Sequence, residues 1–151
     1  MFLQYVNYDP STNPLNNNEW AFPFLECIHI AGFTLSIGTI ALVDLCMLGL
    51  AFRKQASAVL ARQMAPWTLV GLVVMLITGP LIFSSDPNMY LGNISFRFKM
   101  GALLLALLYH YTLHRWAVYR EPAPAVGKVV AVVSLGLWIS VVAGGLFIAF
   151  F

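Results

Sequence analysis

Four stretches of this chain are apolar over lengths that a soluble core rarely needs. Ile28–Phe52, Met100–Leu113 with its flanks, and Val129–Phe151 meet or approach the roughly 20 residues that a helix needs to cross a bilayer. Trp67–Phe83 is shorter and carries no charge. Of the 151 residues, 60% are hydrophobic and 9% charged, and the mean hydropathy is +0.82. A soluble domain would carry about 25% charged residues. The expected fold is all-α: an integral membrane four-helix bundle, one transmembrane domain over residues 1–151, with a polar N-terminal arm over residues 1–20. A net charge of +2 spread along such a chain marks membrane edges and does not point to nucleic acid.

Prolines, glycines and charges divide the spans. Pro23 is the expected entry to the first helix, which should end at Phe52, before Arg53 and Lys54. RKQASAVLARQMAP reads as a basic loop, with Pro66 and Trp67 opening the second helix and Gly79 and Pro80 closing it. SSDPNMYLGNIS is a turn-rich loop. The third helix should run from near Phe96 to near Tyr119. A Pro-rich connection, REPAPAVGK, then leads to a fourth helix that reaches the last residue. The segment YDPSTNPLNNNEW reads as a solvated arm or an interfacial loop. The first twenty residues contain no Lys or Arg, so no cleavable signal peptide is expected. Cys27 and Cys46 stand roughly 28 Å apart along one helix at 1.5 Å per residue, too far to bridge each other.

Cations set the expected orientation. Six of the eight Lys and Arg, namely Arg53, Lys54, Arg62, Arg115, Arg120 and Lys128, fall in the connections after the first and third helices. Those connections should be cytoplasmic. Both termini and the Asp86 loop should then lie outside, and Arg97 and Lys99 at the outer edge of the third helix. The location this implies is the bacterial cytoplasmic membrane.

Ionisable groups within membrane spans cost about 2.5–3.5 kcal/mol on insertion scales, which makes each a functional candidate. His29 shares a helix face with Gly32 and Ser36. A small residue beside a histidine lets a flat ligand or a second backbone approach. His29 therefore has two readings: an axial ligand to haem iron, or a histidine hydrogen-bonded to a neighbouring helix. His110 and His114 are four apart on one face, a spacing that suits one metal ion, a haem ligand, or an interfacial pair. Asp44 lies nearer their depth than that of His29, and can accept a proton from one of them. With the inner helix ends aligned at Arg53 and Arg115, His29 and His110 differ in depth by roughly 28 Å. That separation argues against one haem held between them. At the outer level, His29 can bind iron on one face of a haem while Arg97 or Lys99 holds the propionates. A neutral Lys99 can instead be the second axial ligand. The aromatic residues near helix ends read as interfacial belts.

The order IHxxG, Pro-Trp, TG and FRxK…H resembles an uncharacterised family of small bacterial four-helix membrane proteins. The matching residues are His29, Gly32, Asp44, Arg62, Pro66, Trp67, Gly79, Phe96, Arg97, Lys99 and His114, which cover nearly all of the chain. The chain is more distantly similar to the membrane protoporphyrinogen oxidase of haem synthesis and to the copper-export membrane domain. The oxidase's helix 1 histidine is matched by His29. Its helix 3 lysine, followed by Tyr-His, is matched by Lys99, Tyr109 and His110. That resemblance implies bound haem b. Glu26, Ser36 and Asp44 stand where the oxidase pattern has Lys, Trp and Arg, so the resemblance does not extend to the oxidase reaction.

The expected function is a small haem-b-binding, cytochrome-b-like membrane protein in electron transfer or redox sensing. Quinone or a periplasmic redox protein would be its partner. One alternative is a copper-handling protein using His110, His114 and Asp44. The other is a non-catalytic helical subunit of a larger membrane complex. Gly32, Ser36, Gly136, Gly144 and Gly145 permit close helix contacts within one chain or between copies.

Overall fold

The computed structural model describes residues 7–120 and 122–150. These residues are helical with short connections, and among them there is no strand. The helices are α1 (Ala21–Met47), α2 (Ser57–Phe83), α3 (Pro87–Gly92), α4 (Ile94–Tyr109), α5 (Arg115–Arg120) and α6 (Pro124–Leu146). A π-helical turn, His110–His114, joins α4 to α5 without a break.

Three helices are long and apolar enough to cross a membrane: Ala21–Met47, Ser57–Phe83 and Pro124–Phe150, each 27 residues. Their outward faces carry Leu76, Ile77, Leu69 and Val129, all exposed, as suits an apolar solvent. The third expected helix is continuous from Ile94 to Arg120 but divided by the π-turn, and α4 alone has only 16 residues.

Several boundaries differ from expectation. α2 begins at Ser57, so most of the expected basic loop is helix, and Pro66 and Pro80 both lie inside it. Proline removes one N–H and ends most soluble helices. In a membrane span, neighbouring helices and hydroxyl side chains satisfy the freed groups and the helix continues. α1 stops at Met47 rather than Phe52, where Gly49 and then Phe52 take left-handed conformations, with φ 74° and 49°. The expected turn at SSDPNMYLGNIS contains α3, capped by Asp86, which accepts from the Met89 N–H at 3.0 Å. α6 starts at Pro124, earlier than Val129, and gives way to a 3-10 turn at Phe147–Phe150. Its expected end at Phe151 lies outside the described residues, as do the first six residues of the arm.

The described part of the arm and the 3-10 turn after α6 both bond to the segments flanking α3. Asn13 Nδ2 donates to the Ser84 carbonyl at 2.7 Å, and Asn16 Nδ2 donates to the Ser85 carbonyl at 2.9 Å. Asn93 Nδ2 donates to the Ile148 carbonyl at 2.9 Å. The arm is thus strapped to the α2–α3 turn. The six cations of the other two connections are all exposed.

α1 packs on α2 and α4 on α6, and α1 also touches α6. The core holds Ile40, Leu72, Ala106, Trp138 and Val141, with Phe33 and Leu103 against it. Between α1 and α2 the backbones nearly touch at Gly32 and Gly71, and the Thr39 and Thr68 hydroxyls meet at 2.8 Å.

The exposed residues at the two ends allow an orientation test. With Cys27 and Cys46 replaced by serine, Lys54→Cys should resist an impermeant thiol reagent in intact cells, and Met89→Cys should react. Met89 is the right probe because it is 50% exposed, whereas nearby Ser85 is buried. The opposite labelling would invert the proposed orientation.

Candidate functional site

The ionisable residues fall into two groups, one toward each end of the helices. In the first, His29 Nδ1 lies 2.7 Å from Thr78 Oγ1, on α2. Thr78 Oγ1 is also 2.7 Å from the Val74 carbonyl, which can only accept. A hydroxyl has one proton. Thr78 therefore donates to Val74 and accepts from His29. This holds His29 as the Nδ1–H tautomer and leaves a bare lone pair on Nε2. A backbone-anchored hydroxyl, invisible in the sequence pattern, thus sets the chemistry of the imidazole.

Lys99 shares this level. It is half-buried, and its side chain runs along Gly144 and Gly145 of α6: a Cβ on Gly144 would lie 3.0 Å from Lys99 Cβ, and one on Gly145 would lie 3.3 Å from Nζ. Among the described residues no carboxylate pairs with it. Arg97, two residues earlier, is exposed. Gly32 is buried one turn below His29 but faces Val74 and Gly71, so it serves the α1–α2 contact and not an open surface. The small residue that faces the His29 ring is Gly79, whose Cβ would lie 3.5 Å from His29 Cε1.

The second group is tighter. His114 Nε2 lies 2.6 Å from Asp44 Oδ1, and Ser134 Oγ donates to Asp44 Oδ2 at 2.7 Å. Asp44 and Ser134 are fully buried and His114 is 3% exposed. An ionised carboxylate accepts at both oxygens, which is what this arrangement supplies. Three helical segments are joined here: α1, the π-turn and α6. His110 stacks on His114 with ring centres 5.0 Å apart and planes at 24°. Its Nδ1 is buried without a hydrogen-bond partner, as is Ser36 Oγ. Beside both histidines lies a cavity of about 80 Å³, walled also by Thr68, Met64 and Tyr119. Among the described residues, no three His, Cys, Asp or Glu side chains gather as a metal-ligand group.

The Asp44–His114 bond corrects the expected depths. Asp44 sits level with His114, not above it. His29 lies fifteen residues above Asp44 on α1, and Lys99 fifteen above His114 on the parallel segment, both roughly 22 Å at 1.5 Å per residue. His29 and Lys99 are therefore level with each other. His110, one turn above His114, stands roughly 17 Å from the His29 level rather than 28 Å. The reason is that α1 ends at Met47 while the other helix continues to Arg120, so Arg53 and Arg115 are not equivalent anchors. Seventeen or so ångströms still separates the two levels too far for one cofactor to take both histidines.

No curated protein and no solved structure matches the chain. A family model covers residues 20–151, which takes in α1 through α6 and both groups of ionisable residues. The chain belongs to that family, DUF6644, a family of unknown function.

Proposed function

We propose that this protein is a small integral membrane redox protein that holds haem b at the level of His29 and Lys99, in a four-helix transmembrane bundle of the bacterial cytoplasmic membrane. The observation that carries this reading is the tautomer of His29. Metal-bound histidines donate their other ring N–H to an oxygen, which orients the ring and raises the basicity of the ligating nitrogen. His29 has that arrangement, with Thr78 as the acceptor.

The other residues at this level fit the same group. A half-buried ammonium without a carboxylate is costly in a membrane interior. Lys99 loses that cost either by pairing with a propionate or by giving up its proton and binding iron through nitrogen. Gly79 leaves the ring face of His29 free of a side chain, and Gly144 and Gly145 let Lys99 lie close against α6. Haem would supply one-electron chemistry within the span, and quinone or a periplasmic protein is the proposed exchange partner. The distant likeness to the membrane protoporphyrinogen oxidase, in which His29 and Lys99 match a helix 1 histidine and a helix 3 lysine, is in keeping with bound haem b.

An absorption spectrum of the purified protein tests this directly. A Soret band is expected, and it should be lost in His29→Ala and kept in His114→Ala. Lys99→Arg should remove most of the haem, because arginine cannot deprotonate to bind iron. Arg97→Lys should leave the haem in place, because an exposed cation at the membrane edge is replaceable. Protein that folds, carries no haem and takes none up from added hemin would remove this reading.

A further inference from the structure

The second group is not needed to hold a haem roughly 22 Å away along α1, yet it is the most completely buried polar cluster among the described residues. We infer that Asp44, His114 and Ser134 form a proton-binding site, loaded from the cation-rich end of the molecule through the cavity beside His114.

Four observations lead there. Asp44 is fully buried, takes the Ser134 hydroxyl at Oδ2 and shares a proton with His114 Nε2 at Oδ1, a set of bonds that an ionised carboxylate satisfies. The cavity of about 80 Å³ has room for two or three waters at about 30 Å³ each. Arg115 and Tyr119 line it on the side of the exposed cations, the end of the molecule from which a proton would enter. The histidines sit on a π-turn, a distortion that often marks function in helices. Finally, His110 keeps a buried nitrogen without a partner, a defect that costs about 1–3 kcal/mol. A purely structural pair would not need a second histidine stacked on the first.

The step is a simple uptake. Nε2–H of His114 is committed to Asp44, so Nδ1 is the nitrogen left to accept. A proton from a cavity hydronium forms a new N–H bond at Nδ1 and leaves water behind. No electrons move. The cluster passes from carboxylate with neutral imidazole to carboxylate with imidazolium, from a net −1 to zero. In a low-dielectric interior the neutral pair is the cheaper state. The groups around it are Tyr109 from α4, whose hydroxyl donates to the Val130 carbonyl at 3.1 Å, and His110, Tyr111, Arg115 and Tyr119 from the π-turn and α5. α2 adds Arg62, 5.8 Å over the Tyr119 ring, and α6 adds Ser134.

The test reads nitrogen-15 shifts of the histidine rings in the full-length protein in lipid nanodiscs, together with proton uptake by a pH indicator. Neither readout depends on haem, so the outcome is independent of the reading above. Across the pH range in which the protein stays folded, the His114 ring should take up one proton per chain at Nδ1 while Nε2–H stays bonded. Asp44→Asn, which keeps the size and loses the charge, should abolish that uptake. Ser134→Ala removes only one hydrogen bond, so it should keep the uptake at a shifted midpoint. A His114 ring that does not change over this range, or one that titrates unaltered in Asp44→Asn, would show the cluster to be a structural clasp.

Discussion

Replacing Asp44 with alanine is expected to cost about 3–5 kcal/mol, the range seen when one member of a buried ion pair is removed. The structure makes the reason concrete. Asp44 is the shared partner of His114 and Ser134, so its loss strands two polar groups at once in the interior. His114→Ala should cost a similar amount, because it leaves the Asp44 carboxylate buried with Ser134 alone. The double variant should cost clearly less than the two single losses together, since His114 has nothing to leave stranded once both are gone. Unfolding in mixed micelles gives all four stabilities and hence the coupling.

The size of that coupling also decides what the bond is. Neutral hydrogen bonds between membrane helices average about 0.6 kcal/mol and reach about 1.7. A coupling well above that range identifies a charged pair, as the two partners on one carboxylate imply. A coupling within it would mean a neutral acid bonded to a neutral imidazole, and would weaken the case for a site that cycles a proton. Additive single variants would mean that the 2.6 Å contact contributes nothing to stability.

Three of the four expected spans were legible as helices long and apolar enough to cross a membrane, because length and apolarity are what a bilayer selects. The ionisable residues were equally legible, because so few stand in apolar surroundings. Their partners were not. Ser134 and Thr78 are ordinary small hydroxyl residues within helices, and no pattern marks which of many serines and threonines faces a carboxylate or an imidazole. Depth was misjudged for a related reason. Cations mark where a helix leaves the membrane only when both helices end there, and the segment after His114 runs on to Arg120. The π-turn has no residue signature and was read as regular helix. Pro66 and Pro80 were read by the rules of soluble helices, which assume water at each freed carbonyl.

Gly71 is the position where the smallest change should do the most damage. A Cβ added there would lie 2.5 Å from the Gly32 carbonyl oxygen and 2.7 Å from the Ser36 nitrogen. Both are backbone atoms of α1, so no rotamer change can make room, and the two helices must part. Parting them also pulls Thr39 Oγ1 from Thr68 Oγ1, now 2.8 Å apart, and His29 from Thr78. Overpacking a tight core costs about 1–3 kcal/mol and sometimes more, and Gly71→Ala should lie at the upper end or beyond. Gly32→Ala meets Val74 Cγ1 first, at 2.7 Å, a side chain that can turn, so its cost should be smaller. Gly38 and Gly101 have nothing within 4 Å of a would-be Cβ, and alanine at either should be neutral or slightly stabilising in a helix. The same four variants read the proposed haem site. If Thr78 sets the tautomer of His29 across this contact, Gly71→Ala should lower haem content along with stability, while Gly38→Ala changes neither. A Gly71→Ala protein as stable as its parent would mean that α1 and α2 do not approach as closely as described.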